Sequence, residues 1–493
     1  MSDTQATDAR PSGRSSADVD ELAYLSATDA IRLFRSRDLS PVELLRAVAE
    51  RVDRLEPRLN AFSDIYLDDA VRQARAAEAR YVGQGEPPRA LEGIPLAVKE
   101  EAAIRGLLLT HGSLLHRDQV ADASFPIADR VLTAGAVVHA RTTTPEFCCA
   151  CFTHSRLWGV TPNPWNRAFS CGGSSGGAAV SLAAGMTTLA TGSDIAGSIR
   201  IPASSCGVVG FKPPYGRVPA LPPWNLDHYC HDGPMARTVA DCALLANVVA
   251  GPHPTDLAAL PPVPPLAALA GGVAGWRLAI SVDLGGYEVD DEVTQATLAA
   301  ADVFRAAGAT VEPVELDWSR HEIVETALAH YGAIFGRDVA ETIAEQPDLA
   351  TPYARTFAQQ TTAALERVGY LHALKAEGRI MARLGELLCD YQLLLCPTLA
   401  TPAFAVGEDY VDTKVVVNGV ELDSYWEAVL TIPFNICSRC PVLSIPSGVA
   451  SSGVPIGLQV VGRPYDDVSV FQAAAAFERA QPWLDVAARR PRV

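Results

Sequence analysis

Four short apolar runs constrain this chain more than any other feature: 93-GIPLAVK-99, 134-AGAVVHART-142, 187-TTLATGSD-194 and 206-CGVVGFK-212. They alternate with segments of helical spacing such as 122-DASFPIADRVLTAG-135 and 177-GAAVSLAAGM-186. Short runs that are apolar throughout read as strands buried on both faces between helices, which makes the fold class α/β. Ahead of them, residues 27–62 carry two helical patterns, the second opened by Ser40, Pro41 and Glu43 as a helix start. The runs 392-QLLLCPT-398, 442-VLSIPSG-448 and 456-IGLQVVG-462 read as further core strands. The Pro- and Ala-rich stretch 251–272 could divide two domains, but these late runs favour one domain over 21–493, its sheet completed by residues 390–465.

Charge narrows the function. The net charge of -17 repels nucleic acid and anionic membrane at long range, so neither is expected as a partner. No apolar run is long enough to span a bilayer, and residues 1–20 are polar without an apolar core, so they read as a disordered tail on a cytoplasmic protein. Eleven cysteines without a leader pattern argue for reduced thiols. The group Cys148, Cys149 and Cys151 and the pair Cys437 and Cys440 lack zinc-finger spacing, and small buried residues are the favoured reading. No metal is expected.

The stretch 170-SCGGSSGGAAVSLAAG-185 sets serines among glycines and runs straight into an apolar helix pattern, which a flexible linker would not do. Its Gly173-Ser174-Ser175-Gly176-Gly177 matches the GxSxG elbow around Ser175. An elbow follows a buried strand, however, and residues 161–171 hold two prolines and no strand pattern. No Gly-Lys-Ser/Thr follows, so a phosphate loop is disfavoured further. In the second stretch, 191-TGSDIAGSIRIPAS-204, small residues at a turn let backbone N–H groups converge on one point, as an oxyanion hole requires. Ser198 ends that turn, and Asp194 and Arg200 stand near enough to pair and brace it; a purely structural turn is the alternative. Lys99 closes an apolar strand, where it either reaches the surface or loses basicity through burial and serves as a base for a serine.

Taken together, Lys99, GGSSGG at 172–177 and SDIAGSIRIPAS at 193–204 resemble the amidase signature family, strongly over about residues 91–240 and more loosely through 433-PFN-435 and 454-VPIGLQVVGRP-464. The resemblance implies a large central mixed β-sheet flanked by helices on both faces and a Ser–Ser–Lys triad. By position, Ser198 is similar to the nucleophile, Ser174 to the bridging serine on a cis peptide bond, and Lys99 to the base, with Ser175 in support. N–H groups of Ile195, Ala196, Gly197 and Ser198 would hold the oxyanion, and no cofactor is implied. The chain departs from the family at Ala196, where a glycine is usual, at Glu100 and Glu101, where an Asp follows the lysine, and in 435-NICSRCP-441, which lacks the usual glycine.

The implied activity is hydrolysis of a C–N bond in a small amide, with carbamates and esters sharing the same tetrahedral intermediate. A glutamine-dependent amidotransferase subunit working with partner subunits and a catalytically silent scaffold are the alternatives. The stretch 222-PPWNLDHYCHD-232 suggests an aromatic or apolar acyl pocket, with Trp224, His228 and Tyr229 as candidate substrate contacts and Cys437 as a further wall residue. A homodimer stays open.

Overall fold

A computed structural model describes residues 16–261, 269–484 and 486–493. The expected tail lies outside the described residues up to residue 15, but a helix, Ser16–Ala23, already begins within its last part. Eleven strands form one sheet: β1 Phe62–Ile65, β2 Pro95–Lys99, β3 Val137–Thr142, β4 Leu189–Asp194, β5 Val209–Lys212, β6 His231–Ala236, β7 Arg277–Ile280, β8 Thr310–Pro313, β9 Leu393–Pro397, β10 Val442–Val449 and β11 Pro455–Gly462. Their order across the sheet is β1-β3-β2-β4-β6-β5-β10-β11-β9-β7-β8. Strands β3, β2 and β4 run parallel to one another, as do β9, β7 and β8 at the other end. The middle, from β4 to β9, is antiparallel throughout, so the sheet is mixed.

Strand β9 shows why its run is apolar at every position. Leu393 and Leu395 enter one hydrophobic core, which holds the helices Ala27–Ser36, Pro41–Leu59, Gly176–Ala183 and Asp467–Ala480. The alternate residues Leu394 and Cys396 enter a second core with the helices Arg320–Tyr331, Pro352–Val368 and Tyr370–Asp390. Successive side chains of a strand point to opposite faces, so both faces of the sheet are covered. The helix from Pro41 starts as expected: the Ser40 hydroxyl accepts from the Glu43 N–H while the Glu43 carboxylate accepts from the Ser40 N–H. No helix among the described residues is long and apolar enough to cross a membrane.

The glycine-rich stretch is packed. A Cβ at Gly177 would lie 2.3 Å from the Ala61 carbonyl oxygen and 2.5 Å from the Thr143 nitrogen, both of them backbone atoms. The helix Gly176–Ala183 can therefore lie against the β1–β3 end of the sheet only with glycine at this place. Gly385 is the converse, a helical glycine with no atom within 4 Å of such a Cβ. Gly177→Ala should lower unfolding free energy by about 1–3 kcal/mol through overpacking, whereas Gly385→Ala should raise it by about 0.4–1 kcal/mol. Urea denaturation of the two variants beside the parent chain checks both signs.

Candidate active site

Parallel strands β2 and β4 are neighbours, and their carboxyl ends bring Lys99 beside Ser193. Such strand ends are where open α/β sheets place their sites. The Lys99 Nζ donates to Ser174 Oγ at 2.7 Å and to Ser193 Oγ at 2.7 Å, and it pairs with Glu101 Oε2 at 2.9 Å. Ser193 Oγ donates to the same Glu101 oxygen at 2.5 Å. Ser174 sits just ahead of the helix Gly176–Ala183, and its peptide bond to Gly173 is cis. Ser174, Ser193, Glu101 and Ser198 all line one cavity of about 190 Å³.

The expectation that burial would keep Lys99 neutral is corrected here. Its side chain is 1% exposed, which alone would lower its pKa, but the acidic groups facing it, Cys148 first and then Glu101 in direct contact, raise the pKa above the ordinary lysine value. Glu101 in turn is held down at about 2: burial pushes it up, and the Lys99 charge and the hydrogen bonds from Ser193 and Lys99 outweigh that. The resting site thus holds an ammonium–carboxylate pair. Asp232, directly across from Ser193 in the β4–β6 register, is pushed up to about 7 by burial and by Glu101.

The turn after β4 is braced as expected and more extensively. Asp194 and Arg200, both fully buried, pair through two bonds, Nε to Oδ2 at 2.9 Å and Nη2 to Oδ1 at 2.8 Å. Burial would raise the Asp194 pKa, but Arg200 and the Asn435 amide hold the carboxyl well below the usual range. Arg200 also donates to the Thr431 carbonyl, Gln459 Oε1 and Asn435 Oδ1. Asn435, in the stretch that departs from the family pattern, thereby becomes part of the brace, returning its amide to Asp194 Oδ1 at 2.9 Å.

Gly197 has to be removed from the expected oxyanion donors. Its N–H is spent on Asp194 Oδ1 at 2.8 Å, and its φ of 123° and the nearby Thr431 hydroxyl explain why glycine stands there. No described residue accepts from the N–H groups of Ile195, Ala196 or Ser198. Ser175 is fully buried and clamps β4, donating to the Ser193 carbonyl at 3.4 Å and accepting from its N–H at 3.3 Å. It does not line the cavity, whereas Ser198 does.

Of the proposed substrate contacts, Trp224 lines the cavity, its ring edge-on to Phe335 at 6.0 Å. His228, Tyr229 and Cys437 do not line it. Tyr229 is wholly buried and stacks on His330 at 3.8 Å, His228 pairs with Glu377 at 3.3 Å, and Cys437 is buried beyond the short helix Pro433–Ile436. Loop aromatics close in sequence point to different neighbours, which composition alone does not reveal. The remaining walls come from Phe125, Phe147, Phe335 and Val339, with His111, His116 and Asp338 between them. All eleven cysteines are free thiols.

A profile of the Amidase family matches residues 43–471. The chain is 32% identical to an acylamidase from Rhodococcus erythropolis over 94% of its own length and 97% of the relative's. It is 33% identical to a glutamyl-tRNA(Gln) amidotransferase subunit from Chloroflexus aggregans, over 94% and 98% of the two chains. Among solved structures it resembles a bacterial aryl acylamidase of the amidase signature family, with TM-score 0.86 and 29% identity over 95% of this chain and 99% of that one. A 6-aminohexanoate cyclic dimer hydrolase follows with TM-score 0.81 and 27% identity, over 95% and 99%. The chain belongs to the amidase family and is an enzyme acting on carbon–nitrogen bonds.

Asp194→Asn tests the brace. It leaves the Arg200 charge buried without its counter-charge, and breaking such a pair is worth about 3–5 kcal/mol. The variant should unfold at clearly lower urea than the parent, and a loss of unfolding free energy under a fifth of that size would show that the remaining acceptors suffice for Arg200.

Proposed function

We propose that this enzyme hydrolyses small, largely apolar amides through an acyl-enzyme formed on Ser198. The observation that carries the reading is the 2.7 Å contact from Lys99 Nζ to Ser174 Oγ in a cavity that also receives Ser198. Once Lys99 has given up a proton, its amine takes the Ser174 hydroxyl proton while Ser174 takes that of Ser198. The freed Ser198 oxygen attacks the substrate carbonyl, and the N–H groups of Ile195, Ala196 and Ser198 receive the developing oxyanion. The relay then runs in reverse, delivering the proton to the leaving nitrogen as the C–N bond breaks. Water, deprotonated along the same path, releases the acid and restores Ser198. No metal or cofactor enters this sequence.

The cavity walls favour this reading over glutamine-dependent amidotransfer. Glutamine presents an α-carboxylate, whose binding calls for a cationic partner. Among the described residues lining the cavity there is no arginine or lysine to meet it, while Asp338 would repel it. Phe125, Phe147, Trp224 and Phe335 suit an aryl or alkyl group instead. The acylamidase and aryl acylamidase relatives point the same way. A hydrolysis screen over aryl and alkyl amides, carbamates, esters and glutamine, with Ser198→Ala as blank, tests the proposal; release of ammonia from glutamine alone, and only with partner subunits added, would replace it.

Two outcomes follow from the roles assigned. Ser198→Ala should abolish turnover and labelling by a fluorophosphonate, while Ser175→Ala should keep labelling, a contrast read directly on a gel. In the pH profile, a lysine base whose pKa is raised must first lose its proton, so kcat/KM for a neutral amide should climb with pH well above neutrality. Glu101→Gln removes the charge that holds the proton on Lys99, lowers that pKa and should move the rising limb to lower pH; Lys99→Ala should remove the limb and at least about 10²-fold of the rate. Steady-state profiles of the three proteins decide it, and a limb unmoved in Glu101→Gln would separate Glu101 from the titrating group.

A further inference from the structure

We propose that His228, His330 and Glu377 form a binding site for a borderline divalent cation of the zinc class, separate from the catalytic cavity. The three come from segments far apart in sequence. His228 lies in the loop leading into β6, His330 near the end of the helix Arg320–Tyr331, and Glu377 within the helix Tyr370–Asp390. One donor atom of each lies within 4.8 Å of the others. His228 Nε2 is 3.3 Å from Glu377 Oε2, and His330 Nδ1 is 3.0 Å from Glu377 Oε1. Around a tetrahedral ion with bonds of about 2.0–2.2 Å, neighbouring donors stand roughly 3.3–3.5 Å apart, so the set closes on a metal once the donors draw together from a spacing of at most 4.8 Å. None of the three lines the catalytic cavity.

The surroundings are those of a ligand set. The far nitrogen of His330, Nε2, is 2.9 Å from Asp227 Oδ2, the carboxylate–histidine arrangement that orients a metal-binding imidazole. Tyr229 donates its hydroxyl to Glu377 Oε1 at 3.0 Å and stacks its ring on His330 at 3.8 Å, fixing both ligands. Charge points to a divalent ion. Asp227 and Glu377 are buried carboxylates, and among the described residues their ion pairs are to histidines alone. With both imidazoles neutral, Asp227 and Glu377 leave the cluster two charges negative, which one divalent cation offsets. Two nitrogens and one oxygen suit zinc, cobalt or nickel and not magnesium or calcium. A metal at His330 Nδ1 takes the place of any proton on that nitrogen, which leaves to solvent. His228, 23% exposed where the other two are 0% and 1%, gives the ion its way in.

Occupancy would tie the loop that carries Trp224 to the two helices, the first of which leads on to Phe335. The test uses the full chain without an affinity tag, stripped with chelator and titrated with zinc chloride or cobalt chloride at pH 7.5. The expected result is one equivalent bound, a rise in Tm, and a cobalt spectrum without sulfur-to-metal charge transfer. His228→Gln, at the partly exposed position, should keep the parent's circular dichroism and lose at least tenfold in affinity, and Asp227→Asn should lose about 10–100-fold. Absence of stoichiometric binding at pH 7.5 would overturn the proposal, as would zinc affinity unchanged in His228→Gln, or a thiolate cobalt spectrum that vanishes in Cys437→Ser.

Discussion

A carboxylate and a guanidinium with no exposure to solvent hold this site together. Asp194 ends β4, and Arg200 opens the helix Arg200–Cys206, so their paired bonds bend the chain between them into the turn that presents Ser198. The bonds left over on Arg200 reach Thr431, Asn435 and Gln459, residues of the C-terminal third. One buried cation therefore joins the turn that carries Ser198 to the C-terminal third, strand β11 included. Removing either charge exposes the other to a medium that cannot solvate it, which makes the turn and the far half of the sheet depend on one another.

A second pair joins Lys99 to Glu101. Its ions share contact with Ser193, and Lys99 also reaches Ser174, so Lys99 sits in a small network where each polar group already has a partner. A wholly apolar setting would leave the amine neutral but poorly oriented. Here orientation is secured by charge, and the consequence is a lysine that holds its proton more tightly than an ordinary one.

Most of the fold was legible because buried strands of an α/β sheet are apolar on both faces, and runs such as 93–99 and 392–398 can satisfy few other structures. The positions of Lys99, Ser174 and Ser198 were legible through motif order, and the bracing pair Asp194 and Arg200 through its spacing. Glu101 was visible only as a departure from a pattern; its contact with Lys99 depends on how the chain turns immediately after β2. Phe335, Val339 and Asp338 reach the cavity from the far helical region, and no local periodicity marks a residue that a tertiary fold carries to a site. The same applies in reverse to Tyr229, whose proximity to Trp224 in sequence suggested a shared pocket when its ring in fact packs on His330. Gly197 was read as a donor from its place in the turn, and only the bond from its N–H to Asp194 shows that this group is already engaged.

The order of strands has a consequence for biosynthesis. In the middle of the sheet β5 pairs with β10, Lys212 opposite Val442, although most of the second core is encoded between them. On the ribosome β5 therefore emerges long before its partner and waits with one edge unpaired. An unpaired apolar edge is a template for other chains, and closing so long a loop is slow. The nascent chain keeps that edge of β5 open until β10 has been made, so the middle of the sheet is among the last parts of the fold that can close.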